Sequence, residues 1–225
     1  MHSKRYVAVK QLVDKTKKYS IDEAIDLLKK TATAKYDESV ELHVRLGVDP
    51  TKSDQQVRGT ISLPHGVGKT KRVAAFVEPD KEAEAKEAGA DIIGNQEMID
   101  KIASTGVIDF DVAVATPATM AKLAKLARIL GPRGIMPNPK TDTVSPNVKK
   151  MIEEQKAGKQ SFKNDKDGNI HQVFGRKSFT EVQLKENLTA LIDAVRRLKP
   201  SSSKGIFLKS ITIASSVGPG IKIEG

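Results

Sequence analysis

The chain has 225 residues, with 38 Lys and Arg against 28 Asp and Glu, which gives a net charge of +10 and a pI near 9.6. That length buries a proper core and allows one large domain or two modest ones. The absence of Cys excludes disulfides and thiolate zinc or redox sites, and the four scattered His (His2, His43, His65, His171) argue against a histidine metal cluster. No apolar run approaches the ~20 residues of a membrane span, and no charged-then-apolar leader with a cleavage site is present. The expectation is a soluble cytoplasmic protein with a negatively charged partner, no membrane association, no cofactor and no metal.

In chain order, Ser20 to Glu23 reads as a capping box that opens a helix with Ile25 and Leu28 on one side. Ser39 to Val48 alternates, with Val40, Leu42, Val44, Leu46 and Val48 on one face and Ser39, Glu41, His43 and Arg45 on the other, a half-buried strand. Val57 to Leu63 alternates likewise, after a turn through Asp49-Pro50. The middle then changes character. Arg72 to Val77 and Asp111 to Thr116 are short apolar runs, as in strands covered on both faces. Between them lie a helical stretch over 80–88, ended by Gly89, and a short strand over 91–93. Thr116-Pro117 predicts a helix running to Gly131, and Ser145-Pro146 predicts another, stopped by Gly158. Strand–helix alternation of this kind implies a mostly parallel, helix-covered sheet.

The last third returns to the first style. Residues 160–164 and 170–174 are expected to form a hairpin about Asp165 to Asn169. Ser178 to Glu181 reads as a second capping box, and the helix after it places Leu184, Leu188, Leu191, Val195 and Leu198 on one stripe. A long strand over 205–214 slips its apolar phase at Lys209-Ser210, as a bulge does. Both ends of the chain would then build one domain, with the middle inserted at crossings near Gly66, Gly68 and Gly158, glycines that suit a hinge.

Charge follows the same division. Residues 1–67 carry +3, residues 68–158 only +1 and residues 159–225 carry +6; within the middle, 68–111 carries −4 and 112–158 carries +5. An anion-binding body made from both ends fits this pattern. Gly68-Lys69-Thr70 is not a phosphate loop, since Leu63 stands where the first Gly belongs and a strand follows. Asp165 to Gly168 lacks the later ligands of a calcium loop, and no G-x-S-x-G is present. A nucleotide-dependent enzyme built on the middle segment would need a glycine loop after its first strand, where Phe76 to Asp80 offers carboxylates instead. With aromatic content at 4%, a stacking platform for single strands is disfavoured. RNA recognition through Lys and Arg on phosphates, and through hydroxyls and amides on ribose, remains. Its candidate clusters are Lys35 to Ser39, Lys163-Asn164, Arg176-Lys177-Ser178 and Ser215 to Gly218. A second basic set, Lys122, Lys125 and Arg128, precedes the stiff Gly- and Pro-rich segment 131–140, in which Arg133 and Lys140 are the only charges.

That segment carries a resemblance. GPRGIMPNPKTDTV (131–144), with SKRY (3–6), TATAKYDESVELH (31–43), SDQQVRGTISLPHG (53–66), KAGK (156–159) and FKND (162–165), resembles the L-one family of bacterial large-subunit ribosomal proteins over essentially the whole chain. The resemblance implies a non-enzymatic protein of the mobile stalk at the tRNA exit site. Its fold would be α/β and α+β: a discontinuous two-layer α+β rRNA-binding domain from residues 1–67 and 159–225, and an inserted Rossmann-like three-layer α/β domain from 68–158, hinged to the first at Gly66, Gly68 and Gly158. Its implied partners are the large-subunit (23S) rRNA, exit-site tRNA and its own messenger, whose translation it would repress; it would sit as a monomer within the ribosome. A free-standing translational repressor shares the same RNA chemistry. By motif, the rRNA contacts would be Lys35, Tyr36, Ser39, Ser216, Val217 and Gly218, to which the charge and hydroxyl clusters add Lys163, Asn164, Lys177, Ser178 and Ser215. The candidates for facing tRNA are Lys122, Lys125 and Arg133. Tyr36 stands where the family usually has Phe, Ser39 where it has Thr, and Ser216-Val217 where it has Thr-Met; the hydroxyls survive these changes.

Overall fold

The computed structural model describes residues 3–224; His2 lies outside the described residues. In chain order come α1 (Lys4–Lys10), α2 (Ile21–Thr31), β1 (Ser39–Leu46), β2 (Arg58–Ser62), β3 (Val73–Phe76), α3 (Glu82–Glu87), β4 (Ile92–Ile93), α4 (Gln96–Thr105) and β5 (Val112–Ala115). They are followed by α5 (Pro117–Leu123), α6 (Ala127–Leu130), α7 (Val148–Lys156), β6 (Lys159–Lys163), β7 (Asn169–Arg176), α8 (Glu181–Arg197), β8 (Leu208–Ser215) and β9 (Ile221–Ile223). Contacts divide the chain into two compact units, Met1–Gly68 with Ser161–Gly225, and Lys69–Gln160. Among the described residues no helix is long and apolar enough to cross a membrane.

The first unit is built on an antiparallel sheet in the order β7-β1-β8-β9, beside a two-stranded β2-β6 sheet. β1 holds the centre because its alternation is strict: Val40, Leu42, Val44 and Leu46 are buried, while Glu41, His43 and Arg45 face outward. Against that apolar face pack Ile25 and Leu28 of α2 and Leu184, Leu188, Leu191 and Val195 of α8. α2 opens on the expected box, Ser20 and Glu23 each bonding the other's backbone amide. The β8 register shifts where Leu46 meets Leu208 and Arg45 meets Ser210, which leaves Lys209 as the bulged residue at the apolar phase slip.

Several local expectations are corrected. The turn at Asp165 forms, with Asn169 N–H on Asp165 Oδ1 at 2.7 Å, but it is not a hairpin: β6 pairs with β2 and β7 with β1, so the two strands leave for different sheets. The second capping box lies two residues later than expected, between Thr180 and Gln183, because the Ser178 amide and hydroxyl are both taken by Asp37. The helix over 148–156 is capped by Asn147, not Ser145; the Ser145 hydroxyl instead accepts from the Asn147 amide. The expected single helix over 117–130 is broken by a 3₁₀ turn at Ala124–Leu126. Three residues per turn there align Leu126 with Leu123, so Leu126 is buried and Ala127 is turned outward. β2 lies between buried Val57 and Leu63 but shows no alternation itself. α1, α4 and β9 were not expected; α4 is bounded by an Asn95 cap and by Gly106 at φ 68°, and β9 extends the sheet beside β8.

The second unit holds a parallel sheet in the order β4-β3-β5. Its strands are apolar on both faces because helices cover both. Ala74, Phe76, Ala113 and Ala115 face Ile99, Ile102, Leu123, Leu126 and Leu130, while Val73, Ala75 and Val114 face Ala85, Val148, Met151 and Ile152. Gly66, Gly68 and Gly158, at the crossings, have φ of 60°, 69° and 94°, left-handed values that glycine takes at little cost. A Cβ on Gly68 would also stand 2.9 Å from the Phe179 ring.

One residue anchors the outgoing crossing. Asn187 interrupts the apolar stripe of α8 and is fully buried; its amide nitrogen donates to the carbonyls of Gly66 and Phe174, both at 2.9 Å, and its oxygen accepts from His65 N at 3.1 Å. Asn187→Leu keeps the branching of the side chain and makes it apolar, yet it strands these backbone groups. It should lower stability to urea by about 2–4 kcal/mol, since each unsatisfied buried polar group costs roughly 1–3 kcal/mol; equal or greater stability would show the groups find other partners.

Candidate nucleic-acid interface

At one end of the first unit's sheet, where Ser39 pairs with Arg176 and Val40 with Ser215, residues far apart in the chain converge. The junction is the side chain of Glu38, fully buried. Its carboxylate accepts from Ala34 N at 2.7 Å and Val217 N at 3.4 Å, and its carbonyl accepts from Lys177 N at 2.9 Å. Asp37 makes the neighbouring link, accepting from Ser178 N at 3.0 Å and Ser178 Oγ at 2.9 Å, with Arg176 Nη1 3.8 Å from its carboxylate and 3.2 Å from its carbonyl. Ser39 and Ser216 interlock: Ser39 N donates to Ser216 Oγ at 3.2 Å and Ser216 N to Ser39 O at 3.0 Å. Arg5, from α1, closes the group by donating to Val217 O at 3.2 Å and Thr33 Oγ1 at 3.1 Å.

The exposed surface of this cluster is cationic and hydroxyl-bearing. Lys35, Ser178 and Ser216 are exposed, Lys177 is half-buried, and the Tyr36 ring is 56% exposed. The Glu38 carboxylate is buried on backbone donors, while Asp37 stays exposed with Ser178 and Arg176 against it, so the outward charges are Lys35, the half-buried Lys177 and a partly neutralised Asp37. Such a surface can meet phosphates with cations, ribose 2′-hydroxyls with Ser oxygens, and one base face with a ring. Gly218 is required by contact: its N donates to Ser215 O at 3.1 Å, and a Cβ there would lie 2.4 Å from Ser215 Oγ.

The expected residues do not all belong to this end. Lys35, Tyr36, Ser39, Lys177, Ser178, Ser216, Val217 and Gly218 do. Ser215 lies here too, but its hydroxyl is buried beneath the 216–218 turn without a protein partner, as is Arg176 Nε, so it supports the turn and is not an outward contact. Lys163 and Asn164 precede the turn that leads into Asn169, which pairs with Arg45 at the opposite end of β1, about 20 Å from Ser39 at ~3.3 Å per residue. Asn164 is buried and committed, accepting from Val57 N at 2.8 Å and donating to Asp165 O at 2.9 Å; Lys163 is exposed. Glu38 and Arg5 were missed as organising residues. The only sequence signal was Glu38's place between Asp37 and Ser39, and Arg5's within SKRY.

In the second unit, Lys122, Lys125, Arg128, Arg133 and Lys140 are all exposed. The 131–144 segment is fixed by Asn138, whose N donates to Thr143 Oγ1 and whose Oδ1 accepts from Lys140 N, both at 2.8 Å. Asp142, at φ 52°, and Glu154 hold the buried Lys159 ammonium at 2.9 and 2.6 Å. Burial works against that charge, but the bonds to Glu154 and Asp142 outweigh it and raise the Lys159 pKa. Among the described residues, no group of three or more His, Asp or Glu is placed to hold a metal ion.

Comparison with known proteins adds a family to this geometry. The model described as the ribosomal protein L1p/L10e family matches residues 28–219. The chain is similar to the large ribosomal subunit protein uL1 of Kosmotoga olearia, 51% identical over 99% of this chain and 96% of the relative. It is also similar to the proteins of that name from Fervidobacterium nodosum, at 50% over 99% and 95%, and from Mycolicibacterium vanbaalenii, at 52% over 99% and 94%.

Glu38→Ala should separate the converging segments, because it strips the Ala34 and Val217 amides of their buried acceptor. A loss of about 2–4 kcal/mol in chemical denaturation is expected, with amide exchange at Ala34 and Val217 accelerated; unchanged exchange at both would show that Glu38 does not hold them.

Proposed function

The chain belongs to the ribosomal protein L1p/L10e family, and from that premise we propose that it is a cytoplasmic component of the large ribosomal subunit that binds the subunit's 23S rRNA through the strand-end cluster of its first unit. The observation that carries this reading is the convergence of residues 35–39, 177–178 and 216–218 on one surface, with Glu38 buried beneath it and Asp37 held by Ser178. The names of its relatives place them in the large ribosomal subunit, and a surface of Lys, Ser and one exposed ring suits folded RNA. It is a binding surface and not a reaction centre.

In this reading the chain's ends, residues 1–67 and 159–225, form the rRNA-binding domain, and 68–158 form an inserted domain that moves on glycines 66, 68 and 158. The exposed Lys122, Lys125 and Arg133 of the inserted domain meet exit-site tRNA and assist its release. An rRNA-like structure in the protein's own messenger, gripped by the same strand-end cluster, gives translational repression. Within the subunit the protein acts as a monomer.

Filter binding to purified large-subunit rRNA tests the central claim. If roughly six phosphates are neutralised, affinity should fall about a thousandfold between 50 and 200 mM salt; a flat titration rejects an electrostatic interface. In the full chain, Lys35→Gln combined with Lys177→Gln should weaken binding at least about tenfold, each charged hydrogen bond being worth roughly 1.5–3 kcal/mol. Lys122→Gln combined with Lys125→Gln should leave it within about twofold. The reverse ranking would move the rRNA site to the second unit.

A further inference from the structure

The outward face of β1 continues from the strand-end cluster: Ser39, Glu41, His43 and Arg45 point the same way, while the helices pack on the opposite face. In the row through His43, the register sets His171 of β7 on one side and Thr212 of β8 on the other, with Lys222 of β9 beyond. His43 lies four residues from Ser39, about 13 Å along the strand. That is well inside the reach of an interface of ~1,000 Å² or more.

The two imidazoles meet Nδ1 to Nδ1 at 2.8 Å, with ring centroids 5.0 Å apart. At that distance one nitrogen donates and the other accepts. The pair can hold both rings neutral, or one imidazolium against one neutral ring. With both rings charged, two N–H donors would face each other, so a second proton must break the contact. Carboxylates stand at the outer nitrogens: Glu41 Oε2 is 3.8 Å from His43 Nε2, and Asp165 Oδ2 is 3.4 Å from His171 Nε2. Arg45 on β1, Lys222 on β9 and, just past β9, the exposed Glu224 add charges near the row, while β8 presents the uncharged Thr212 and Ser210. Burial first, and His171 second, hold His43 below the ordinary imidazole range, against the pull of Glu41. The free protein thus resists the full charge this pair could carry, and a row of phosphates laid across the face would remove that resistance.

We propose that the open sheet face bearing His43 and His171 extends the rRNA-binding surface, and that this pair takes up protons when RNA phosphates cover it, so that RNA binding strengthens as pH falls. The proposal rests on the rRNA reading of the neighbouring cluster. Binding couples to protonation because the polyanion favours the charged form of each ring, and each unit by which binding raises a pKa corresponds to a tenfold gain in affinity at low pH. Glu41 and Asp165 turn from partners of the free pair into acceptors for the separated imidazolium rings.

The test uses the full chain and purified large-subunit rRNA at constant ionic strength. Wild-type affinity should rise about tenfold from pH 7.5 to 5.5, while the His43→Gln/His171→Gln double variant, which controls for protonation of the RNA itself, should change less than about twofold. Calorimetry of the wild type at pH 6 in two buffers of different ionisation enthalpy supplies a readout that needs no variant: net proton uptake on binding supports the proposal and none overturns it. Equal pH responses of wild type and variant overturn proton coupling while leaving the rRNA site standing. Absence of binding at every pH sinks the rRNA reading and this proposal together.

Discussion

A carboxylate with no access to water is expensive unless backbone donors surround it, and Glu38 is such a group. Its oxygens hold the amides of Ala34 and Val217 while its own carbonyl holds the amide of Lys177. Without those bonds, the loop before β1, the turn after β7 and the turn after β8 would be exposed strand ends with independent conformations. With them, the side chains at 35–36, 177–178 and 216 are held as one surface. The same bonds keep the Glu38 charge from facing the solvent. Asp37, at the rim, is exposed, but both Ser178 donors hold it and Arg176 stands 3.8 Å from its carboxylate.

Below that surface the fold supplies stiffness in an ordinary way. The buried row of β1 and the stripe of α8 make a two-sided apolar contact. Asn187 is its one polar exception, and it is placed to fix the crossing at His65 and Gly66. The second unit spends its apolar residues differently, on both faces of a short parallel sheet, so its cationic groups sit on helices and on the 131–144 segment. Lys159 bonded to Asp142 and Glu154 fixes the end of that segment in the same way Glu38 fixes its cluster, with the signs of charge exchanged.

Features that depend on periodicity were legible from the residues alone: the β1 alternation, the Leu184 to Val195 stripe, the Ser20 box and the bulge at Lys209. So were the segments that carry the surface, because Lys, Ser and Gly clustered at strand ends. What periodicity does not encode is which strand pairs with which. Residues 160–164 and 170–174 have the look of a hairpin, yet their strands each pair elsewhere, with β2 and β1. The α8 cap falls later than the sequence suggests because a long-range bond takes the expected residue, Asp37 holding Ser178. Glu38 and Asn187 were invisible for one shared reason: a buried polar side chain is recognised by the backbone groups it meets, and those come from distant segments.

The division between charged and uncharged contacts follows from side-chain entropy. Lys35 and Lys177 bring long-range attraction, but each loses rotamer freedom of up to about 2 kcal/mol when pinned, so they yield affinity that salt erodes. Ser39 and Ser216 are already pinned to one another, and Gly218 is locked against Ser215. These bonds fix the Ser39 backbone and the Ser216 hydroxyl in the free chain, which limits what ordering them on binding would cost. In the proposed rRNA reading, groups fixed in this way would report the shape of the RNA, while the lysines around them would set how strongly it is held.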